Sequence, residues 1–285
     1  MTLWQKWIGS NPVFHYHFLG QTKLLVRRPV WQVLSIIISF ASLYLWVLHQ
    51  AYQNGLPFLV VALECLVLWL VAPLITYSLF ASEFEKATWD MLVLTRLTAS
   101  QIVIGKFLSS LLISLFIAVL FLPLLWVGAL MEWQGSPALK IFAWMLKTEL
   151  VIVAWTILLI AVTLWLSYWI KRGMVAAAVT FAGQFFVLFI LPVLWVLFLE
   201  TFMHGESLSY QVSDPRFGVL SFNPIAIGAV AGFYALFEGA VPFGEAEPNG
   251  FSLWGIWQGT VYLLLSVGIV ALLTRAVARS TRKPI

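Results

Sequence analysis

Charged side chains gather at one place in this otherwise apolar chain, between residues 81 and 106. The stretch reads ASEFEKATWDMLVLTRLTASQIVIGK, and long runs with almost no charge lie on both sides of it. Its charged residues are of both signs: Glu83, Glu85, Lys86, Asp90, Arg96 and Lys106. Such groups form ion pairs and charge-assisted hydrogen bonds with polar partners. Because the rest of the chain offers few polar surfaces, we expect this stretch to meet water and a soluble partner.

Helical periodicity divides the first part of this stretch into two faces. Glu83, Lys86 and Asp90 fall on one face, at spacings of three and four residues. The other face carries apolar and small side chains: Phe84, Ala87, Thr88, Met91 and Thr95. This pattern predicts an amphipathic helix at the membrane surface.

A second helix is predicted directly after the first. Thr98 and Gln101 match the Thr-x-x-Gln capping box, in which each side chain satisfies a backbone N–H at the start of a helix. Lys106 would then anchor the new helix at the lipid headgroups. The stretch therefore predicts a helix, a turn and a helix. Periodicity alone leaves open whether it is a docking surface or an ordinary polar loop.

Two further polar residues lie inside apolar runs. An ionisable residue in a membrane span is a functional candidate by default, so Glu64 is assigned to a substrate path or to proton binding. It lies only about 12 Å from the start of its span at 1.5 Å per residue, which favours a hydrogen bond between helices or a wet position. Gln184 is a weaker candidate of the same kind. We predict no metal site, since His15 and His17 do not share a helix face and Cys65 is the lone cysteine.

The composition defines the class of fold that must position these residues. Hydrophobic residues make up 62% of the chain and charged residues 10%, whereas soluble domains carry about 25% charged residues. Several apolar runs exceed the roughly 18 residues that mark a membrane helix. The chain is therefore predicted to be an all-α polytopic membrane protein, and a net charge of +4 does not indicate nucleic-acid binding.

Turn residues and charges divide the chain into a surface segment and one transmembrane domain. Residues 1–29 predict an amphipathic segment on the membrane surface, with Asn11-Pro12 as a natural helix start. Residues 30–285 predict a single domain with six spans, at about 30–48, 56–80, 102–130, 150–170, 173–199 and 253–274. A long outer segment, about 200–252, separates the last two spans, and within it 222–237 is predicted to dip into the outer leaflet or lie on its surface.

The basic residues predict the orientation of these spans, because cytoplasmic loops are rich in lysine and arginine. If the N-terminus is cytoplasmic, all but Lys140, Lys147 and Arg216 of the 16 lysines and arginines fall on the inner side. Both termini, and the charged stretch at 81–106, are then expected on the cytoplasmic side of the cell membrane.

The charged stretch resembles a segment of a known family. Its pattern runs Glu83-x-Glu85-x-x-Thr88-x-Asp90-x-Leu92-x-Leu94-Thr95-x-Leu97-Thr98-x-x-x-Ile102-Val103-x-Gly105-Lys106, and this is similar to the segment between the second and third spans of ABC-2-type transporter permeases. Asn11-Pro12-Val13 and Arg27-Arg28 also resemble that family's N-terminal region. Ala87 stands where the family usually has glycine, Arg96 where it has proline, and His17 where many relatives have an acid. We interpret the first two changes as compatible with a helix.

The resemblance implies a membrane subunit of an ABC transporter, expected to be an exporter, driven by two copies of a separate ATPase that binds ATP and Mg. It implies a second permease chain, identical or different, and contact with membrane lipid. The residues that it assigns to ATPase coupling are Glu83, Glu85, Thr88, Asp90, Leu92, Thr95, Gly105 and Lys106. The chain itself is not expected to be an enzyme or to hold a cofactor. It has no phosphate loop, since Ser100 stands where such a motif would place a glycine before Gly105-Lys106.

Two other classes of protein stay open. An ion-coupled secondary transporter would be expected to show internal repeats and helices broken at the midplane, and the sequence has no convincing repeat. A membrane enzyme or assembly factor acting on lipid would cluster polar residues near one interface, and the acids of this chain are dispersed.

Overall fold

A computed structural model describes residues 11–18, 30–54, 57–95, 97–132, 138–202 and 250–281. Every regular element in these ranges is a helix, which confirms the all-α prediction for the described part of the chain. In chain order they are α1 (12–18), α2 (Val30–Asn54), α3 (Pro57–Thr76), α4 (Ser78–Glu85), α5 (Trp89–Leu94), α6 (Ala99–Glu132), α7 (Ala138–Ile170), α8 (Gly173–Phe185), a π-helical turn (Phe186–Ile190), α9 (Leu191–Phe202) and α10 (Gly250–Thr281).

Five helical segments of the described chain are long and apolar enough to cross a membrane. They are Leu63–Glu85, Ala99–Val127, Thr148–Ile170, Gly173–Leu194 and Gln258–Thr281. Length and composition thus agree with a multi-pass membrane protein. The predicted first span, 30–48, lies within the 25-residue helix α2, which is not among the five, so the count of six spans stays a prediction.

The observed helices differ from the predicted spans mainly at their ends. The predicted second span, 56–80, is divided at Tyr77 between α3 and α4. The third, fourth and sixth extend beyond their apolar parts, and α7 begins as early as Ala138. Hydropathy marks only the part of a helix suited to lipid, whereas backbone hydrogen bonds can continue the helix into the polar flank.

The predicted fifth span is a helix with a local irregularity. The π-helical turn Phe186–Ile190 separates α8 from α9, and Pro192 lies directly behind it. Proline has no N–H to donate to the carbonyl four residues earlier, which here belongs to Leu188, so a change in hydrogen-bond pattern at this point has a plain cause.

Two groups of buried apolar side chains hold the helices together. One, the Leu68 cluster, joins α2, α3, α6, α7 and α10 through residues that include Trp69, Leu125, Trp155 and Tyr262. The other, the Phe80 cluster, comprises Ala72, Leu79, Phe80, Ile102, Val103, Ile160, Leu164, Leu273 and Val277. Helix α7 contributes to both clusters and packs on α3, α4, α6, α8 and α10. Phe84, Trp89 and Leu92 of the charged stretch pack against the Phe80 cluster.

Some predicted features fall outside the described residues. These are the segment 222–237, most of the outer segment, and most of the N-terminal surface segment apart from 11–18. Within 11–18, α1 begins at residue 12, as the Asn11-Pro12 pair predicts, and Val13 and Phe14 are buried.

Candidate functional site

The first part of the charged stretch lies in two short helices, α4 and α5, which are joined by a tight turn. We call residues 78–98, which contain both helices and the turn, the α4–α5 joint. Helix α4 ends in a Schellman motif: the Ala87 N–H donates to the Phe84 carbonyl (3.2 Å), and the Thr88 N–H donates to the Glu83 carbonyl (2.9 Å). Ala87 takes the left-handed conformation that this motif needs, with φ of 53°. The chain then re-enters a helix at Trp89.

This turn corrects two predictions. A single amphipathic helix through 83–95 was wrong, because the left-handed residue interrupts it after Glu85. Consequently Glu83, Lys86 and Asp90 do not share one face: the Glu83 side chain is 14% exposed, whereas Lys86 and Asp90 are exposed. The interpretation of Ala87 as compatible with a helix was also wrong, since the position is not helical and its conformation favours glycine.

The carboxylate of Glu83 forms an ion pair with the buried end of Lys106. Lys106 on α6 is fully buried, and its Nζ lies 2.5 Å from Glu83 Oε1. The same Nζ donates to the Leu79 carbonyl and lies 4.5 Å from the centre of the Phe80 ring. The prediction that Lys106 anchors α6 at the headgroups was therefore wrong. Its ammonium instead joins α6 to α4.

Helix α1 packs against the same ion pair. His17 Nε2 lies 3.8 Å from Glu83 Oε1. Burial of the imidazole lowers the pKa of His17, and the nearby charge of Lys106 acts in the same direction, although the hydrogen bond and charge of Glu83 oppose both. Near neutral pH the ring is therefore uncharged, and it meets Glu83 as a polar neighbour.

The start of α1 is fixed to the start of α6. Asn11 caps its own helix, since its Oδ1 accepts from the Val13 N–H (3.1 Å), and its Nδ2 donates to the Gln101 carbonyl (2.9 Å). Gly105 makes this approach possible: a Cβ there would lie 3.0 Å from Asn11 Nδ2 and 3.1 Å from the Phe14 nitrogen. Gly105, predicted as a coupling residue, is thus the contact point between α1 and α6.

The predicted capping box is confirmed. The Thr98 N–H donates to Gln101 Oε1 (2.9 Å), and the Gln101 N–H donates to Thr98 Oγ1 (3.3 Å). Helix α6 begins at Ala99, the residue that follows this cap. Just before it, the hydroxyl of Thr95 donates to the Leu92 carbonyl (2.6 Å) and closes the end of α5. The end of α5 and the start of α6 are therefore both defined by side-chain hydrogen bonds.

Glu85 connects the joint to a different helix. Its Oε1 accepts the Gly173 N–H (2.8 Å) at the first turn of α8, where an acidic group is favoured by the helix dipole. Glu83 and Glu85, which the sequence grouped as coupling residues, therefore bind different elements. The first is tied to α6 and the second to α8.

Two residues near the end of α7, Ser167 and Tyr168, contact the inner side of the joint, and neither was predicted as a site residue. The hydroxyl of Ser167 donates to the Tyr77 carbonyl (2.6 Å) and accepts from the Ala81 N–H (3.0 Å) at the break between α3 and α4. The ring of Tyr168 lies 5.9 Å from Phe84 and 6.0 Å from Trp89, centre to centre. A usable signal was present, because Lys171 and Arg172, which follow α7, are among the basic residues predicted on the inner side, as is the charged stretch.

The opposite surface of the joint is exposed. On α5, Met91 is 72% exposed and Leu94 is 77% exposed, and the side chains of Thr88, Asp90 and Thr95 are exposed beside them. Leu92 is half-buried and packs at the edge of the Phe80 cluster. The joint thus presents a small mixed surface outward while its inner side is fixed to α1, α6, α7 and α8. This arrangement suits docking and the transmission of movement.

The two residues predicted for a substrate path, Glu64 and Gln184, lie in different surroundings. Glu64 is fully buried, so the wet position considered for it was wrong, and its carboxyl interacts with that of Glu149 on α7. Gln184 on α8 is half-buried, and its Oε1 has no hydrogen-bond partner in the described part of the chain. The described interactions bring Glu64 to Glu149 and not to Gln184. No group of three or more potential metal ligands occurs among the described residues.

The fold and the joint define a helical protein with the features of a multi-pass membrane protein. Comparison with protein-family models and with curated proteins gave no match.

Proposed function

We propose that this chain is the membrane-spanning subunit of an ATP-driven transporter of the ABC-2 type, coupled to a separate ATPase through residues 81–106. The main support for this proposal is that the two sides of the α4–α5 joint differ. Its outer surface is exposed and partly apolar at Met91 and Leu94, whereas its inner side is bound by ion pairs and hydrogen bonds to several long helices.

Such a joint can pass a displacement into the membrane helices. A partner that pushes on α5 moves α4 with it, because only the short Schellman turn separates them. Lys106 carries the movement into α6, and Gly173 carries it into α8. The buried contact at Lys106 transmits strain because close-packed interiors are hardly compressible.

The motif that resembles ABC-2 permeases is the second support, and the left-handed conformation of Ala87 adds to it. That family usually has glycine at this position, and glycine adopts positive φ without strain. The proposal includes what the resemblance implies: two ATPase copies that bind ATP and Mg, a second permease chain, six spans, cytoplasmic termini and export of the substrate.

The exposed surface of α5 provides the test. We expect the tagged chain, purified in mild detergent from the membranes of its source, to retain a protein with a phosphate-loop motif and ATPase activity. Replacing Met91 and Leu94 together by serine should reduce the amount retained about tenfold or more, which corresponds to a loss of about 1.4 kcal/mol. Because both side chains point away from the core, the fold should survive.

Tyr52→Ser is the matched control. Tyr52 is also a large exposed side chain (58%), but it lies near the end of α2, away from the joint. The variant should retain the ATPase at the wild-type level. Absence of an ATPase from the wild-type preparation, or transport that continues when ATP hydrolysis is blocked, would refute the proposed function.

A secondary transporter is the alternative that one observation favours. The buried carboxyls of Glu64 and Glu149 are the kind of intramembrane acidic pair on which ion-coupled transport relies. Transport driven by an ion gradient in vesicles that contain no ATP would support this alternative. No comparable observation favours an enzyme or assembly factor acting on lipid.

A further inference from the structure

Two acidic side chains meet inside the helical bundle, and no lysine or arginine of the described part of the chain pairs with either of them. Glu64 lies on α3 and Glu149 on α7, and these two helices pack against each other. Their carboxyls are close enough for a side-chain hydrogen bond and for direct electrostatic interaction. Among the described residues, Cys65 next to Glu64 is also in electrostatic contact with both carboxyls, and it brings no positive charge.

The surroundings of the pair are apolar. The side chain of Glu64 is fully buried, and its neighbours three to four residues away on α3, Val60, Val61 and Leu68, belong to the apolar Leu68 cluster. Neither oxygen of Glu64 receives a hydrogen bond from any donor in the part of the chain that the structure describes, and Oε2 of Glu149 is in the same situation. A buried ionised carboxylate without a donor is costly, and a second carboxylate beside it adds repulsion.

One proton between the two groups removes both costs. A neutral Glu64 has an O–H to donate, and the Glu149 carboxylate is an acceptor that lacks a partner at Oε2. Charge-assisted hydrogen bonds of this type are the strong ones. The assignment of donor and acceptor follows from burial: Glu64 is fully buried, whereas Glu149 is half-buried and better able to keep its charge.

We propose that Glu64 binds a proton and donates it in a hydrogen bond to the Glu149 carboxylate, forming a proton-binding site that joins α3 to α7. The site is independent of the proposed coupling to an ATPase. Glu64 can release this proton to bulk solvent only when water reaches it, accepts the proton and donates a hydrogen bond to the carboxylate that remains, which requires α3 and α7 to move apart. Proton exchange at the pair is therefore linked to a movement of the bundle.

The difference between infrared spectra of the full chain in lipid vesicles, recorded in H₂O and in D₂O, tests this site. A protonated carboxyl has a C=O stretching band, distinct from those of carboxylates, that shifts in D₂O. We expect the wild type at neutral pH to show this band, and Glu64→Gln to lose it. Glu149→Gln should keep the band at a changed frequency, because the acceptor of the Glu64 proton becomes a neutral amide.

Controls keep the proposal testable if a variant fails to fold. Asp90→Asn removes an exposed acid on α5, so this variant should keep the C=O band of the wild type. Labelling all glutamates of the wild type with ¹³C should shift the band without any substitution. A wild type without the band, a band of unchanged frequency in Glu149→Gln, or loss of the band on addition of Na⁺, K⁺ or Ca²⁺ at constant pH would each overturn the proposal. The last result would mean that a cation, and not a proton, occupies the pair.

Discussion

The Nζ of Lys106 lies 2.5 Å from Oε1 of Glu83, although 23 residues separate them in the chain. Lys106 is fully buried and Glu83 is 14% exposed, so the pair is largely shielded from water. Removing one member of a buried pair leaves the other charge without compensation, which is more destabilising than the net contribution of the intact pair. The contact thus fixes the position of α4 against α6 at the joint.

Breaking this pair from the Glu83 side should destabilise the protein strongly. We expect Glu83→Ala to lower the free energy of unfolding by about 3 kcal/mol, because the Lys106 ammonium then keeps only the Leu79 carbonyl and the Phe80 ring. Glu83→Ala combined with Lys106→Met should be less destabilising than the sum of the two single changes. Denaturant titration in mixed micelles measures all three variants and gives the coupling energy.

The exposed acid Asp90 gives the comparison for this experiment. Asp90→Asn on α5 should change the free energy of unfolding by less than about 0.5 kcal/mol, since its side chain is exposed. Equal effects of Glu83→Ala and Asp90→Asn, or strict additivity of Glu83→Ala and Lys106→Met, would contradict the buried pair.

Ala87→Gly should stabilise the joint. Ala87 has φ of 53°, and a left-handed conformation costs an L-residue about 1 kcal/mol that glycine does not incur. We therefore expect a gain of up to about 1 kcal/mol, reduced by the greater flexibility of glycine in the unfolded chain. Thermal unfolding followed by circular dichroism measures the change. Ala178→Gly, within the regular helix α8, should lower the stability. A fall in stability for both variants would contradict the left-handed conformation of Ala87.

Local sequence signals predicted several parts of this arrangement. The Thr98–Gln101 capping box and the helix start at Asn11-Pro12 depend on neighbours in the chain, and both are confirmed. Hydropathy predicted the helical segments because a continuous apolar run is also a local property of the sequence.

Contacts between distant residues were not predictable in this way. Lys106 looks like a headgroup anchor from its flanking position, and only the packing of α4 on α6 shows that it is buried. Glu149 was not predicted as a site residue, because its pairing with Glu64 depends on how α7 lies beside α3. The left-handed Ala87 was missed because helical periodicity continues through it without a break.

Gly105→Ala should loosen α1 from α6. The added methyl group would lie 3.0 Å from Asn11 Nδ2 and 3.1 Å from the Phe14 nitrogen, closer than nearly all ordinary contacts of a Cβ atom. The backbone nitrogen cannot yield easily, so we expect α1 to shift and the Asn11–Gln101 hydrogen bond to weaken. Amide hydrogen exchange in residues 13–18 should become faster, whereas the middle of α7 should be unaffected.

Gly183→Ala is the matched substitution for this test. Nothing lies within 4 Å of the position that its Cβ would take on α8. It should leave exchange in α1 unchanged and should stabilise its own helix slightly. Unaltered exchange in residues 13–18 of Gly105→Ala would show that α1 does not depend on the missing side chain.

His17 should make stability depend on pH in mildly acidic solution. Burial lowers the pKa of His17 in the folded protein below its ordinary value of about 6.5, which the unfolded chain retains. The unfolded state therefore binds more protons between the two values, and stability rises with pH across that window. The stability contributed by the neutral His17 ring is fully present above about pH 6.5. It is lost as the pH falls toward the pKa of His17 in the folded protein.

Comparison of His17→Gln with the wild type isolates this effect. The variant keeps a polar side chain near Glu83, but it cannot be protonated, so the part of the pH dependence below about pH 6.5 that comes from His17 should disappear. Unfolding free energies measured at half-unit steps from pH 5 to 8 give both curves. His49→Gln, at an exposed position on α2, controls for the loss of a histidine elsewhere. If the wild type and His17→Gln lose stability in parallel on acidification, the buried imidazole does not control the contact between α1 and the joint.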